Sequence, residues 1–94
     1  MRADEPPFEL VLTAPAIRAI RAALPEAVAA AVLEFVTGAL VQKPHRVGKQ
    51  LRGELVGIYS ARRGTYRVLY RIDDGDREVV VLRIEHRRGV SRSP

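Results

Sequence analysis

The 94-residue chain contains no cysteine and two histidines. Without cysteine the fold has neither a disulfide nor a thiolate metal site, so packing must stabilise it. His45 and His86 are far apart in the sequence and make a poor metal site. We therefore predict that the protein uses no metal and no other cofactor.

Long apolar runs are also absent. The apolar stretches are only a handful of residues long, whereas a helix that crosses a bilayer needs roughly 20. The first seven residues include two acidic residues and two prolines, where a secretory signal requires an apolar segment. The sequence thus predicts a cytoplasmic protein without a membrane segment.

The length and composition predict one domain. A chain of 94 residues cannot bury two hydrophobic cores, and 47% hydrophobic with 29% charged residues is an ordinary globular balance. We predict a single domain over residues 1–94, with flexible tails at residues 1–7 and 91–94.

The net charge of +5 is concentrated in the second half of the chain. Through Gln42 there are three basic and five acidic residues, and from Lys43 onward there are thirteen basic and six acidic residues. Fourteen of the sixteen basic residues are arginine, whose planar guanidinium binds phosphate and stacks on bases. Phosphate is therefore a candidate ligand, although an arginine-rich solvated surface has the same composition.

Hydrophobic spacing predicts a strand and then two helices. Residues 8–12 are rich in strand formers. Residues 16–24 form a short helix that Thr13 can cap, with Ile17, Ile20 and Leu24 at helical spacing. A second helix runs from residue 25 to about residue 41, and its buried stripe is Val28, Val32, Phe35, Val36 and Leu40.

After a basic loop over residues 43–57, three strands are predicted as an antiparallel meander. Hairpin signals separate the strands, which cover residues 58–63, 66–73 and 78–86. The fold class is therefore α+β, a four-stranded sheet with both helices on one face. The opposite face then collects arginines into a shallow basic concavity.

Alternation assigns the two faces of the last two strands. In the middle strand of the meander, one face carries Tyr66, Val68, Tyr70 and Ile72, which predicts core packing for the tyrosines, and the other face carries Arg67, Leu69 and Arg71. In the last strand, Val80, Leu82, Ile84 and His86 alternate with Val79, Val81, Arg83 and Glu85. Because both of these faces are fairly apolar, the last strand is predicted to be central.

The hairpin over residues 62–71 brings several guanidinium groups close together. RNA cleavage by its own 2′-hydroxyl needs a base, cations that stabilise the phosphorane, and an acid for the 5′-oxygen. Arginine can supply the cations. The alternative is that these arginines are solvated, or paired with the carboxylates Asp73, Asp74, Asp76 and Glu78.

Residues 44–55 and 57–70, together with the order of the predicted elements, closely resemble the RelE branch of the RelE/ParE toxins. The resemblance implies a RelE-like microbial RNase fold and a toxin of a type II toxin–antitoxin system. It also implies a ribosome-dependent messenger-RNA endonuclease that inhibits translation, with the ribosome, messenger RNA and a cognate antitoxin as partners.

The resemblance also implies roles for individual residues. Arg67, in the motif Gly-x-Tyr-Arg-x-x-Tyr, matches the arginine that contacts the scissile phosphate. The remaining catalytic candidates are Arg62, His86 and Arg87, and the RNA-binding candidates are Lys49, Arg52, Arg63, Arg71 and Arg88.

Ser91 stands where the family has a tyrosine. Serine cannot stack on a base, so His86 becomes the candidate for proton transfer, unless it simply ends the last strand with a hydrogen bond. His45 is predicted to be structural, and Tyr59 is left unassigned. The absent tyrosine also fits two other readings: a ParE-like toxin that poisons DNA gyrase without a nuclease site, or an inactive, antitoxin-bound repressor subunit.

Overall fold

The computed structural model describes residues 6–86, in which helices pack against one face of a five-stranded mixed sheet. A π-helical segment over Ala19–Ala23 and a 3-10 turn over Gly53–Leu55 interrupt the regular elements. The elements in chain order are β1 (Glu9–Leu12), α1 (Ala14–Arg18), α2 (Glu26–Thr37), α3 (Ala39–Gln42), α4 (Pro44–Val47), β2 (Lys49–Gln50), β3 (Tyr59–Arg63), β4 (Tyr66–Asp73) and β5 (Glu78–His86).

The sheet confirms the α+β prediction and adds one strand to it. Its order is β1-β5-β4-β3-β2, with β1 parallel to β5 and every other pair antiparallel. The fifth strand is β2, in which Lys49 lies opposite Ser60 and Gln50 opposite Tyr59. The prediction of four strands was wrong because so short a strand, inside a basic loop, has no periodicity to reveal it.

The first helix differs from its prediction. Thr13 does cap α1, since its hydroxyl accepts from the Ala16 backbone N–H at 3.4 Å. The chain then continues as the π-helical segment, which widens the turn and rotates the side chains that follow. Ala16 and Ala19 are buried and Ile17 is exposed, whereas spacing alone placed Ile17 on the inner side.

The second helix is divided at Gly38. The helix stops at Thr37 and restarts at Ala39, as expected from the weak helix propensity of glycine. Its predicted stripe packs inward: Val32, Phe35, Val36 and Leu40 are buried and Val28 is half-buried. Within residues 6–86 no helix is long and apolar enough to span a bilayer.

The core lies between this stripe and one face of the sheet. Val68 and Tyr70 of β4 and Val79 and Val81 of β5 have no exposed surface, and they belong to one cluster with the helix side chains. The other face of the sheet, named the open face here, carries Arg67 and Arg71 of β4. The alternation predicted for β4 is therefore confirmed.

A β-bulge changes the alternation in β5. Leu69 lies opposite Arg83 and Tyr70 lies opposite Val81, so the register skips Leu82. Beyond the bulge, Ile84 is opposite the buried Val68 and packs against the core.

The Thr13 hydroxyl lies 2.9 Å from the Val81 carbonyl oxygen and 2.8 Å from the Leu82 carbonyl oxygen, where it donates its hydrogen to the bulged backbone. The bulge corrects the predicted faces of β5: Ile84 and His86 share a face with Val79 and Val81, and Glu85 takes the open face.

Candidate functional site

The candidate site lies at the turn between β3 and β4. Arg63 pairs with Tyr66 across the two-residue turn Gly64-Thr65, and Gly64 adopts a φ of 57°, which glycine tolerates better than other residues. The turn borders an open depression of about 180 Å³. This depression, named the hairpin pocket here, is lined by Arg62, Gly64, Thr65, Tyr66, Arg67, Glu85 and His86.

The pocket places two arginines side by side. Arg62 of β3 is directly opposite Arg67 of β4. Like charges directly opposite each other destabilise a sheet, and a bound anion would relieve that repulsion. The only carboxylate among the pocket residues is Glu85, whose Oε1 lies 3.7 Å from Arg67 Nε and whose Oε2 lies 3.8 Å from Arg83 Nε. The arrangement is suited to binding phosphate.

His86 contributes an imidazole to the same pocket. It is half-buried at the end of β5, opposite Tyr66, and its Nε2 lies 3.1 Å from Thr65 Oγ1. This hydrogen bond orients the ring at the β3–β4 turn. The structure therefore brings three predicted residues together, Arg62, Arg67 and His86.

The hydroxyl groups of the two β4 tyrosines bond to backbone carbonyls of the helices. The Tyr66 hydroxyl donates to the Ala31 carbonyl oxygen at 3.4 Å, and burial raises the pKa of Tyr66 despite the opposing effect of Arg63. Tyr70 is fully buried, and its hydroxyl donates to the Pro44 carbonyl oxygen at 2.7 Å. The core role predicted for both side chains is confirmed.

Comparisons with known proteins identify the family. The family model described as ParE toxin of type II toxin-antitoxin system, parDE, matches residues 11–90. The chain belongs to the RelE/ParE toxin family. It is 50% identical over 84 residues to Toxin RelE of Mycobacterium tuberculosis, covering 89% of this chain and 86% of that protein. It is 58% identical over 69 residues to Toxin RelG of the same organism, covering 73% and 79%.

Solved structures of this toxin family have the same fold. The crystal structure of the toxin-antitoxin complex RelBE2 from Mycobacterium tuberculosis contains a chain that is 52% identical, with a TM-score of 0.83, 87% of this chain covered and 100% of that chain. The archaeal RelE-RelB complex from Pyrococcus horikoshii has 25% identity and a TM-score of 0.68, with 88% and 98% covered. The RelE branch predicted from the sequence is therefore confirmed.

The RNA-binding candidates of this RelE-type chain divide between the two sides of the sheet. Lys49 is opposite Ser60 and, like Arg71, is exposed on the open face. Arg52 is exposed just before the 3-10 turn. Arg63 instead lies with its guanidinium carbon 4.6 Å from the centre of the Phe35 ring, on the helix side. Arg87 and Arg88 lie outside the described residues.

Sequence reasoning missed Glu85 as a site residue. Alternation placed Glu85 on the face of Val79 and Val81. The β-bulge that moves it opposite Arg67 has no local sequence pattern from which it could be predicted. Thr65 was missed as well, although its place in a tight turn two residues before Arg67 was visible.

Two other polar groups lie away from the pocket. His45 Nε2 is 3.0 Å from Asp74 Oδ1, and His45 Nδ1 is 3.3 Å from the Tyr59 hydroxyl, which ties α4 to β3 and to the β4–β5 turn. Among residues 6–86, one group has the geometry to hold a cation: Asp73, Asp76 and Glu78, with ligand atoms within 4.8 Å of one another. It surrounds the β4–β5 turn, at the opposite end of β4 from Arg67, so it brings no metal chemistry to the hairpin pocket.

Proposed function

We propose that this RelE-type toxin is a ribosome-dependent endoribonuclease that cuts messenger RNA and is neutralised by a cognate antitoxin. The observation that carries the proposal is the pairing of Arg62 and Arg67 at a pocket that also holds an imidazole. Cleavage by the 2′-hydroxyl of RNA needs fixed positive charge at the phosphate and a group that moves a proton. Both requirements are met in one place.

Each pocket residue has a role in this proposal. Arg67 and Arg62 bind the non-bridging oxygens of the scissile phosphate, and His86 moves a proton, with its ring oriented by Thr65. Lys49, Arg71 and Arg52 bind neighbouring phosphates of the RNA. Arg87, also predicted to be catalytic, follows His86 directly in the chain.

The antitoxin is inferred from the solved structures of relatives, which are the toxin-antitoxin complex RelBE2 and the archaeal RelE-RelB complex. The net charge of +5 favours an acidic partner segment. In a purified translation system, addition of the antitoxin should abolish cleavage of the message.

Arg67→Ala tests the nuclease activity itself. Losing one preorganised charge at the phosphate should slow cleavage by about 10²- to 10³-fold. Primer extension on a translated message should show breaks within codons at the ribosomal A site with wild-type protein and none with the variant. Arg18→Ala, which removes an exposed arginine from α1, is the matched control and should cut like wild type.

The second candidate function is that of a ParE-like toxin that poisons DNA gyrase. It is favoured by the description of the matching family model, which names the ParE toxin. Intact message together with inhibited DNA supercoiling would select this function. Intact message with normal supercoiling and no growth arrest would identify an inactive, antitoxin-bound repressor subunit.

A further inference from the structure

We infer that Glu85 is the general base of the hairpin pocket and that His86 is its general acid, an inference that rests on the proposed nuclease function. Glu85 is directly opposite Arg67 on the open face, and both side chains are 43% exposed. A carboxylate in this position can be reached by RNA and lies beside the arginine proposed to bind the phosphate.

Glu85 is held only loosely by its two arginine neighbours. Its two oxygens lie 3.7 Å from Arg67 Nε and 3.8 Å from Arg83 Nε, whereas charge-assisted hydrogen bonds between guanidinium and carboxylate are about 2.7–2.9 Å long. Neither contact holds the carboxylate as a tight bidentate pair would, which suits a group that must turn toward the RNA to accept a proton.

The position of Glu85 beside Arg67 suits the proton transfer that the reaction requires. A general base must lie within hydrogen-bond reach of the proton it abstracts, about 2.6–3.2 Å between heavy atoms. When Arg67 binds a phosphate oxygen, a carboxylate 3.7 Å from its Nε is placed to accept the proton of the adjacent 2′-hydroxyl. Arg67 and Glu85 then act on the same phosphodiester linkage, the first on its phosphate and the second on the adjacent 2′-hydroxyl.

The positions of Glu85 and His86 fit an in-line reaction. Successive residues of a strand point to opposite faces, yet both side chains line the hairpin pocket. They therefore reach it from the two sides of the end of β5. In-line displacement at phosphorus places the attacking and leaving oxygens on opposite sides, which is where a base and an acid are needed.

The 2′-oxygen forms a bond to phosphorus as its proton passes to the Glu85 carboxylate. The bond from phosphorus to the 5′-oxygen breaks, and that oxygen takes a proton from the His86 imidazolium. The products are a 2′,3′-cyclic phosphate and a 5′-hydroxyl, and exchange with water restores both side chains.

The test is single-turnover cleavage of a translated message by the full chain, across a range of pH. Glu85→Gln keeps the size of the side chain but cannot accept the proton, so the rate should fall by about 10²- to 10⁴-fold. The ribosome concentration that gives half the maximal rate should stay unchanged. The groups around Glu85 are Arg67, Arg83 and Arg62, none of which loses its charge near neutral pH, together with the imidazole of His86, the proposed general acid. The acidic limb of the pH profile, assigned to Glu85, should therefore disappear in the variant, and the alkaline limb, assigned to His86, should remain.

A chemical rescue supplies an independent readout. Glu85→Ala leaves a space that acetate can enter, so acetate should restore part of its cleavage rate and leave Glu85→Gln slow. Glu26→Gln, at an exposed position in the first turn of α2, is the matched control and should cut like wild type. Thermal unfolding of each variant shows whether it is folded.

The outcomes separate the inference from the function on which it rests. Wild-type protein that leaves the message intact would overturn both. Cleavage by wild type together with undiminished cleavage by Glu85→Gln would overturn the inference alone. Faster cleavage by Glu85→Gln would also overturn it, because Glu85 would then be a counter-ion that competes with phosphate for Arg67.

Discussion

At the residue scale, Tyr70 connects the core to the basic edge of the sheet. Its ring stacks on Tyr59 with ring centroids 5.5 Å apart, and burial raises its pKa from 10.0 to about 12, with a smaller contribution from Tyr59. A pKa that is higher in the folded state gives stability that is fully present below the unfolded value. The free energy of unfolding should therefore fall as the pH rises from 10 to about 12.

Tyr70→Phe should destabilise the protein at neutral pH by about 1–3 kcal/mol, because the buried Pro44 carbonyl loses its donor. The variant should also lose less stability than wild type between pH 10 and 12, where Tyr66, whose pKa is also raised, still contributes. Urea unfolding followed by circular dichroism measures both effects. Tyr59→Phe is the control, because its hydroxyl bond to His45 is exposed. If wild type and Tyr70→Phe lost the same free energy of unfolding between pH 10 and 12, the loss could not be assigned to Tyr70.

At the element scale, Gly48 allows α4 and β2 to approach the sheet. A Cβ at this position would overlap the Tyr70 hydroxyl and lie 3.0 Å from the Ser60 carbonyl oxygen. The φ of −134° and ψ of 178° are ordinary extended values, so close packing and not backbone conformation requires glycine here. Lys49, the next residue, lies opposite Ser60 on the open face.

Gly48→Ala should destabilise the protein by about 1–3 kcal/mol, the usual cost of overpacking. The pairing of β2 with β3 should loosen at the same time, which hydrogen exchange of the strand amides would detect. Gly75→Ala is the matched control, because a Cβ there would make only an ordinary 3.5 Å contact with Asp73. If the two variants were equally stable, the close approach would not restrict position 48.

At the scale of the whole molecule, four basic residues of the second half of the chain meet on the open face. Lys49 lies on β2, Arg62 on β3, and Arg67 and Arg71 on β4. The sheet order β4-β3-β2 places these three strands side by side. The helices cover the other face. The open face thus presents a cluster of positive charge that comes from the second half of the sequence.

RNA binding should depend on salt through this face. For a 2′-O-methylated oligonucleotide, which cannot be cleaved, the logarithm of the binding constant should fall linearly with the logarithm of salt concentration, by about 0.7 per phosphate contact. Lys49→Gln should reduce that slope by about 0.7. Arg18→Ala, on the helix side, should leave it unchanged. Equal effects of the two substitutions would place the RNA elsewhere.

Several features followed from the sequence because they depend on local order. The alternation of Tyr66, Arg67, Val68 and Leu69 determined which side of β4 is core, since side chains in a strand alternate by geometry. The hairpin at Gly64-Thr65 followed from turn chemistry. The pairing of Arg62 with Arg67 follows from that turn, so a basic site at this hairpin was predictable.

The tertiary structure alone decided which side chains join those arginines. Strict alternation puts Glu85 on the face of Val79 and Val81, but the bulge at Leu82 moves it opposite Arg67. The Thr13 hydroxyl, which contacts the bulged backbone, is 68 residues from Val81 in the chain. A bulge adds one residue to one strand and depends on contacts between distant segments, so no local pattern encodes it. The arginines of the site were therefore determined by sequence, and its carboxylate by the way the strands pair.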